Sequence, residues 1–148
     1  MTDLTITSSA FDAGEPIPEK YGKAYENLNP PLTVGGVPDE AESLTLIVDD
    51  PDAPGGTFLH WLVWNIPPDI TDIPAGWEPP SGVVQGENDF GEVGYGGPKP
   101  PSEHTYRFKL FAVDTMLELS SGAGVQAVTD AMDGHLVGQD ELTGTFAP

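Results

Sequence analysis

A mainly β fold, arranged as a two-layer sandwich with a helix docked on it, is what this sequence predicts, on three observations. First, 16 prolines and 18 glycines punctuate short apolar runs among 148 residues, a pattern of strands joined by shaped turns rather than of long helices. Second, the segment His104–Val113 alternates, setting His104, Tyr106, Phe108, Leu110 and Ala112 against Thr105, Arg107 and Lys109. Third, a single stretch near the end changes to helical spacing.

Candidate strands follow in chain order. Leu4–Thr7 and Leu44–Val48 are short and rich in β-branched residues and leucine. In Leu59–Ile66 the strand period puts His60, Leu62, Trp64 and Ile66 on one side and Leu59, Trp61, Val63 and Asn65 on the other. Both sides are apolar, which suits an inner strand of a sandwich. Residues 67–103 show little periodicity and hold Pro67, Pro68, Pro74, Pro79, Pro80, Pro98, Pro100 and Pro101, so they predict an ordered, pocket-shaping loop. In His104–Val113 the inward set is His104, Tyr106, Phe108, Leu110 and Ala112, with Thr105, Arg107 and Lys109 outward. Gly124–Gly138 reads as an amphipathic helix through Val125, Val128, Met132 and Leu136, with Ser120 and Ser121 available as caps.

Length and composition set the organisation. A chain of this length at 38% hydrophobic suits one domain over residues 1–148 with one core, and neither a repeat nor a composition break divides it. No uninterrupted run of about 18 apolar residues occurs, and Met1-Thr2-Asp3-Leu4-Thr5 lacks the basic and apolar regions of a signal peptide. The expectation is a soluble, cytoplasmic protein with no membrane insertion. Without cysteine there is no disulfide framework, thiolate metal site or cysteine nucleophile. With 24 acidic against 5 basic residues, the chain lacks the cations that a nucleic-acid binder needs to neutralise phosphates. Spread acidity with few lysines resembles proteins of salt-loving organisms, where molar salt shrinks the screening length to about 3 Å.

Two polar runs carry the chemistry. The first is Asp49-Asp50-Pro51-Asp52-Ala53-Pro54 with Leu59-His60-Trp61 after a Gly55-Gly56 turn; the second is Gly94–Tyr106. Asp50, His60 and His104 each lie at the end of an apolar strand, where a sandwich opens to solvent. A carboxylate beside an imidazole favours the imidazolium, a double donor for an anion. Tyr106 shares a face with His104, and Gly96-Gly97-Pro98 offers backbone N–H groups that approach an oxyanion closely. The bland alternatives stay open: Asp50–Pro54 as only a turn, His60 as a hydrogen-bonded core residue beside two tryptophans, His104 and Tyr106 as packing residues with wet tips. His135 after Asp133-Gly134 reads as a helix-end residue. Asp50, Asp52, His60 and His104 could be imagined around a metal, but no local ligand spacing supports one. No Gly-x-Ser-x-Gly elbow or Walker-type loop is present, and no cofactor is expected.

The motifs taken together resemble the phosphatidylethanolamine-binding protein family, in its prokaryotic Raf kinase inhibitor-like branch. The likeness runs from Glu26-Asn27-Leu28-Asn29-Pro30-Pro31-Leu32 through Asp50–Pro54, His60-Trp61, Asn88-Asp89-Phe90-Gly91 and Gly94–Pro98 to Ala131–His135 and Glu141–Phe146. It implies an antiparallel two-sheet β-sandwich with one or two short peripheral helices and a pocket for phosphate or a phosphoryl headgroup. Carried over by position, the ligand-binding residues are Asp50, His60, Gly97, Pro98, His104 and Tyr106, with Asp52 and Pro54 shaping the loop beneath. A cis X-Pro bond at Ala53-Pro54 is implied as well. Lys99 stands where prokaryotic relatives often carry cysteine, Thr105 where arginine is usual, and Tyr25 and Asn29 where glycine and serine are common.

Three functions follow. The leading one is a non-enzymatic binding or regulatory domain for a small phosphorylated or oxyanion ligand. The second is a hydrolase or phosphoester-processing enzyme using His60 and His104 as acid and base. The third acts through a surface: the family name implies kinase inhibition and, in some branches, protease inhibition, and related prokaryotic proteins form homodimers. The sequence names no protein client.

Overall fold

The computed structural model describes residues 3–148. Its strands form two antiparallel sheets. The smaller joins β1 (Thr5–Thr7), β2 (Leu32–Gly35) and β5 (Asp72–Ile73) in the order β1-β2-β5. The larger joins β3 (Ser43–Asp50), β4 (Phe58–Ile66), β6 (Val84–Gln85), β7 (His104–Val113) and β8 (Leu136–Phe146) in the order β6-β4-β3-β7-β8. A 3-10 turn at Glu19–Tyr21 and one helix, α1 (Val125–Met132), complete the regular elements among the described residues. That helix is too short to cross a membrane.

The large sheet is apolar on both faces, because each face meets a different layer. One face packs Leu44, Leu46, Val48, Trp61, Val63, Phe108 and Leu110 against the small sheet's Ile6, Leu32, Val34 and Ile73. The other packs Ile47, Leu59, Leu62 and Trp64 against Val128 and Met132 of α1. Every residue of β3 is buried, the expected state of a strand flanked by β4 and β7 and covered on both sides. β7 keeps its alternation through Ala112, with His104, Tyr106, Phe108, Leu110 and Ala112 inward, and Val113, past a register shift against β8, is buried as well.

Two β-bulges in β4 revise the sequence expectation for that strand. Val48 pairs with Trp61 but Asp49 with Leu59, and Leu46 pairs with Val63 but Leu44 with Ile66, so β4 carries one extra residue at each place. Each extra residue inverts the faces beyond it. Leu59 therefore joins Leu62 and Trp64 on the helix side, and Ile66 joins Trp61 and Val63 on the small-sheet side. The second bulge is held by Asn65 at φ 58°, whose side-chain amide donates to Leu117 O at 2.9 Å and accepts from Leu117 N–H at 2.8 Å.

The C-terminal segment departs further. α1 ends at Met132 rather than running on to Gly138, because Gly134 turns the chain at φ 82° and Leu136 starts β8. Its N-cap is Gly124, with no side-chain cap bond, so Ser120 and Ser121 do not serve. β8 pairs along the whole of β7. Its alternation is muted in sequence, since inward positions 138 and 144 are glycines; at Gly144 an added Cβ would stand 2.7 Å from both Ile17 Cγ1 and Phe11 Cε2. All peptide bonds among the described residues are trans, so the expected cis bond at Ala53-Pro54 is absent. The turn closes instead through Gly56 N–H to Ala53 O at 3.1 Å, and Asp52 N–H to Asp50 Oδ1 at 2.8 Å.

Candidate functional site

The end of β3 lies beside the starts of β4 and β7, and the residues there, with loop residues, form a pocket of about 120 Å³. Asp50, His60, His104 and Tyr106 make its buried floor, while Pro54, Lys99 and Pro101 lie at its exposed rim. Phe58 and Phe90 wall it. The bulge at His60 decides this geometry. A regular strand would send His60 to the helix side with Leu62 and Trp64, but the extra residue brings its ring to 5.2 Å from that of Tyr106, between centroids.

Each histidine is fixed through Nδ1. His60 Nδ1 lies 2.7 Å from the carbonyl oxygen of Gly96, an obligate acceptor, so Nδ1 carries the proton. His104 Nδ1 lies 2.6 Å from Asp50 Oδ2 within the buried floor. Both Nε2 atoms remain without a partner among the described residues, on rings that line the pocket. Burial lowers the pKa of His60 below the usual 6.5, against the opposing pull of the Gly96 carbonyl and of the Asp50 and Asp89 carboxylates. Burial, with Asp50 beside it, pushes the Tyr106 hydroxyl well above its ordinary range, so it stays protonated.

The loops around the pocket are braced by residues that do not line it. Asp52 Oδ2 accepts from Thr105 N–H at 2.9 Å, fixing the start of β7 beneath the Asp50 turn. Gly96 N–H goes to His60 O at 2.9 Å and Gly97 N–H to Asn27 Oδ1 at 2.7 Å. The expectation that these amides face an oxyanion is thereby corrected: both are satisfied within the protein, and Pro98 has no N–H to give. Gly97 and Pro98 sit behind the pocket, where an added Cβ on Gly97 would meet Tyr21 O at 2.2 Å and Pro98 O accepts from Lys23 N–H at 3.0 Å. Glycine is required there for close backbone approach.

Several contributors escaped the sequence reading. Phe58 and Phe90 pack edge-on at 4.8 Å and flank the His60 ring at 4.9 and 5.5 Å. Asn88 holds the Phe90 turn, accepting from the N–H groups of Phe90 and Glu92 at 2.9 and 3.2 Å. Asp89 Oδ2 accepts from Leu59 N–H at 2.7 Å beside the bulge. Phe58 stands two positions before His60, and Asn88-Asp89-Phe90 lies within a run already singled out; those are the signals that pointed to them. His135 is elsewhere, half-exposed and 2.7 Å from Asp114. No cluster of three metal-ligating side chains occurs among the described residues.

Charge at the rim is unusual for so acidic a chain. Arg107 and Lys109 both bind the buried Asp49 carboxylate at 2.7 Å on the far face of the sheet, and Lys23 pairs with Glu92 at 2.8 Å. Lys99, at the pocket mouth, has no carboxylate partner among the described residues.

Fold and site together define a β-sandwich domain with a small histidine-lined pocket where the central strands of its larger sheet end. The family model described as phosphatidylethanolamine-binding protein matches residues 7–147, and the chain belongs to that family. It is 47% identical to a UPF0098 protein of Pyrococcus horikoshii, over 94% of this chain and 74% of that one. It is 46% identical to a UPF0098 protein of Methanothermobacter thermautotrophicus, over 97% and 98%. Among solved structures, a phosphatidylethanolamine-binding protein homologue from Chlamydia trachomatis superposes with a TM-score of 0.94 at 39% identity, covering 100% and 99% of the two chains. E. coli YbcL, described as a new member of the mammalian family, gives 0.91 at 32% identity, covering 99% of each.

Proposed function

We propose that this chain is a non-enzymatic binding protein whose pocket holds a small oxyanion of the phosphate or phosphoryl-headgroup class. The observation that carries the reading is convergence: two histidines from different strands, each tied back through Nδ1, line one small cavity with Lys99, which has no carboxylate partner among the described residues, at its mouth. About 120 Å³ corresponds to roughly four waters, the size of a tetrahedral oxyanion. Against the protein's dense negative charge, recognition rests on short-range, charge-assisted hydrogen bonds.

An NMR titration of the histidine rings in molar KCl with phosphate and phosphoethanolamine tests this. Saturable shifts at His60 and His104 but not His135, weakened in His104→Ala, are expected; a folded sample without shifts defeats the reading for these ligands.

One observation favours a second reading. Asp50 orients His104 as a carboxylate orients a general base, which is the arrangement a phosphoester hydrolase would use. The lining residues include no serine, threonine or cysteine to act as nucleophile, so water would have to attack. Turnover of a model phosphoester that disappears in His104→Ala would raise this reading above the first.

A further inference from the structure

Hydrogen-bond polarity in the pocket bears on which anion it takes. The Gly96 carbonyl can only accept, so the 2.7 Å contact puts the single proton of a neutral His60 on Nδ1 and leaves a lone pair on Nε2. That lone pair has no partner among the described residues, and its ring lines the cavity. An oxyanion oxygen without a proton placed against it makes an acceptor-to-acceptor contact. A ligand oxygen that carries a proton makes a hydrogen bond instead. This holds even where every other pocket group donates, because donation from Lys99 or His104 satisfies other oxygens and leaves the Nε2 of a neutral His60 an acceptor.

Resting on the anion-pocket reading above, we infer that the pocket selects an oxyanion that still carries a proton, the hydrogen-phosphate or phosphomonoester-monoanion class, and turns away donor-free anions such as sulfate. His60 is then the specificity-determining residue. The titratable groups facing it are Asp50 on β3, His104 and Tyr106 on β7, and Asp89 and Lys99 on the long loop. The carboxylates draw a second proton toward the ring, and burial opposes it more strongly.

The test compares inorganic phosphate with sulfate by calorimetry at pH 6 in molar KCl, and then methyl phosphate from pH 6 to 8. Phosphate is expected to bind at least about tenfold more tightly than sulfate, since a site built to bond a ligand hydroxyl rejects analogues lacking one. Methyl phosphate affinity should fall about tenfold per pH unit once the pH is well above its second pKa of about 6. In His60→Gln, whose side-chain amide can donate, the phosphate-to-sulfate ratio should drop below about threefold. Where that variant does not fold, ¹⁵N spectra of the wild type with phosphate bound decide, an unprotonated His60 Nε2 being expected. Equal affinities for the two anions, or a protonated Nε2 in the complex, overturn the selection while leaving an anion pocket in place. Binding of neither anion takes down the pocket reading and this inference with it.

Discussion

Replacing Asp50 separates its two jobs. Its Oδ2 meets His104 Nδ1 at 2.6 Å and its Oδ1 accepts from Asp52 N–H at 2.8 Å. The two side chains of the pair are only 4% and 7% exposed, so water cannot readily step in for a lost partner. In Asp50→Ala the buried imidazole N–H loses a charge-assisted bond, at about 1.5–3 kcal/mol, and the turn loses its cap, at about 1 kcal/mol. The sum is about 3 kcal/mol, or a Tm lowered by about 6–12 °C for a chain of this size. Asp50→Asn keeps an oxygen for Asp52 N–H and should cost about half as much. Urea denaturation at fixed molar KCl, followed by tryptophan fluorescence, reads both variants without altering the ionic strength. Equal losses in the two variants, or a loss in Asp50→Ala below about 1 kcal/mol, would refute the division of roles.

Three more outcomes are expected. Because burial lowers the His60 pKa, the unfolded chain takes up the proton first; stability contributed by this residue is complete above about pH 6.5 and is lost as the pH falls below it, by at most about 1.4 kcal/mol per unit. The difference between wild type and His60→Gln across pH 7 to 5 reads that slope. Gly97→Ala should destabilise by about 2 kcal/mol or more, because the new methyl meets backbone that cannot swing aside, and thermal melts check it. Lowering KCl from molar to about 0.1 M should weaken the fold through self-repulsion at a net charge of −19, visible as a falling circular-dichroism melting temperature.

What could be read from the sequence depended on whether the signal was local. β7 was legible because from His104 to Leu110 its inward residues are large and its outward ones polar, so the period shows in that run alone. β8 was hidden because Gly138 and Gly144 leave the inward face unmarked, and Leu136 extended the helical spacing of α1 by coincidence. Asp50, His60, His104 and Tyr106 were named from their places at strand ends and from the family likeness, yet strand period alone aimed His60 at the wrong layer. The bulge that turns it exists only in the register between β3 and β4, and no local pattern encodes a register. The Gly96 and Gly97 amides were misassigned for the same reason: their partners, His60 O and Asn27 Oδ1, lie tens of residues away.

The extra residue at His60 also limits how this pocket can be moved or altered. It sets parity for the start of β4, giving Phe58 to the pocket and its neighbour Leu59 to the helix layer. Deleting a single residue there would exchange the two, putting an aliphatic chain where an aromatic wall stands and a phenyl ring into the packing under α1. Grafting Asp50, His60, His104 and Tyr106 onto a regular hairpin would reproduce the four side chains and still lose the site. The transferable unit is the set of residues together with the irregularity that aims one of them, so homologous segments should tolerate substitution here far better than a change in length.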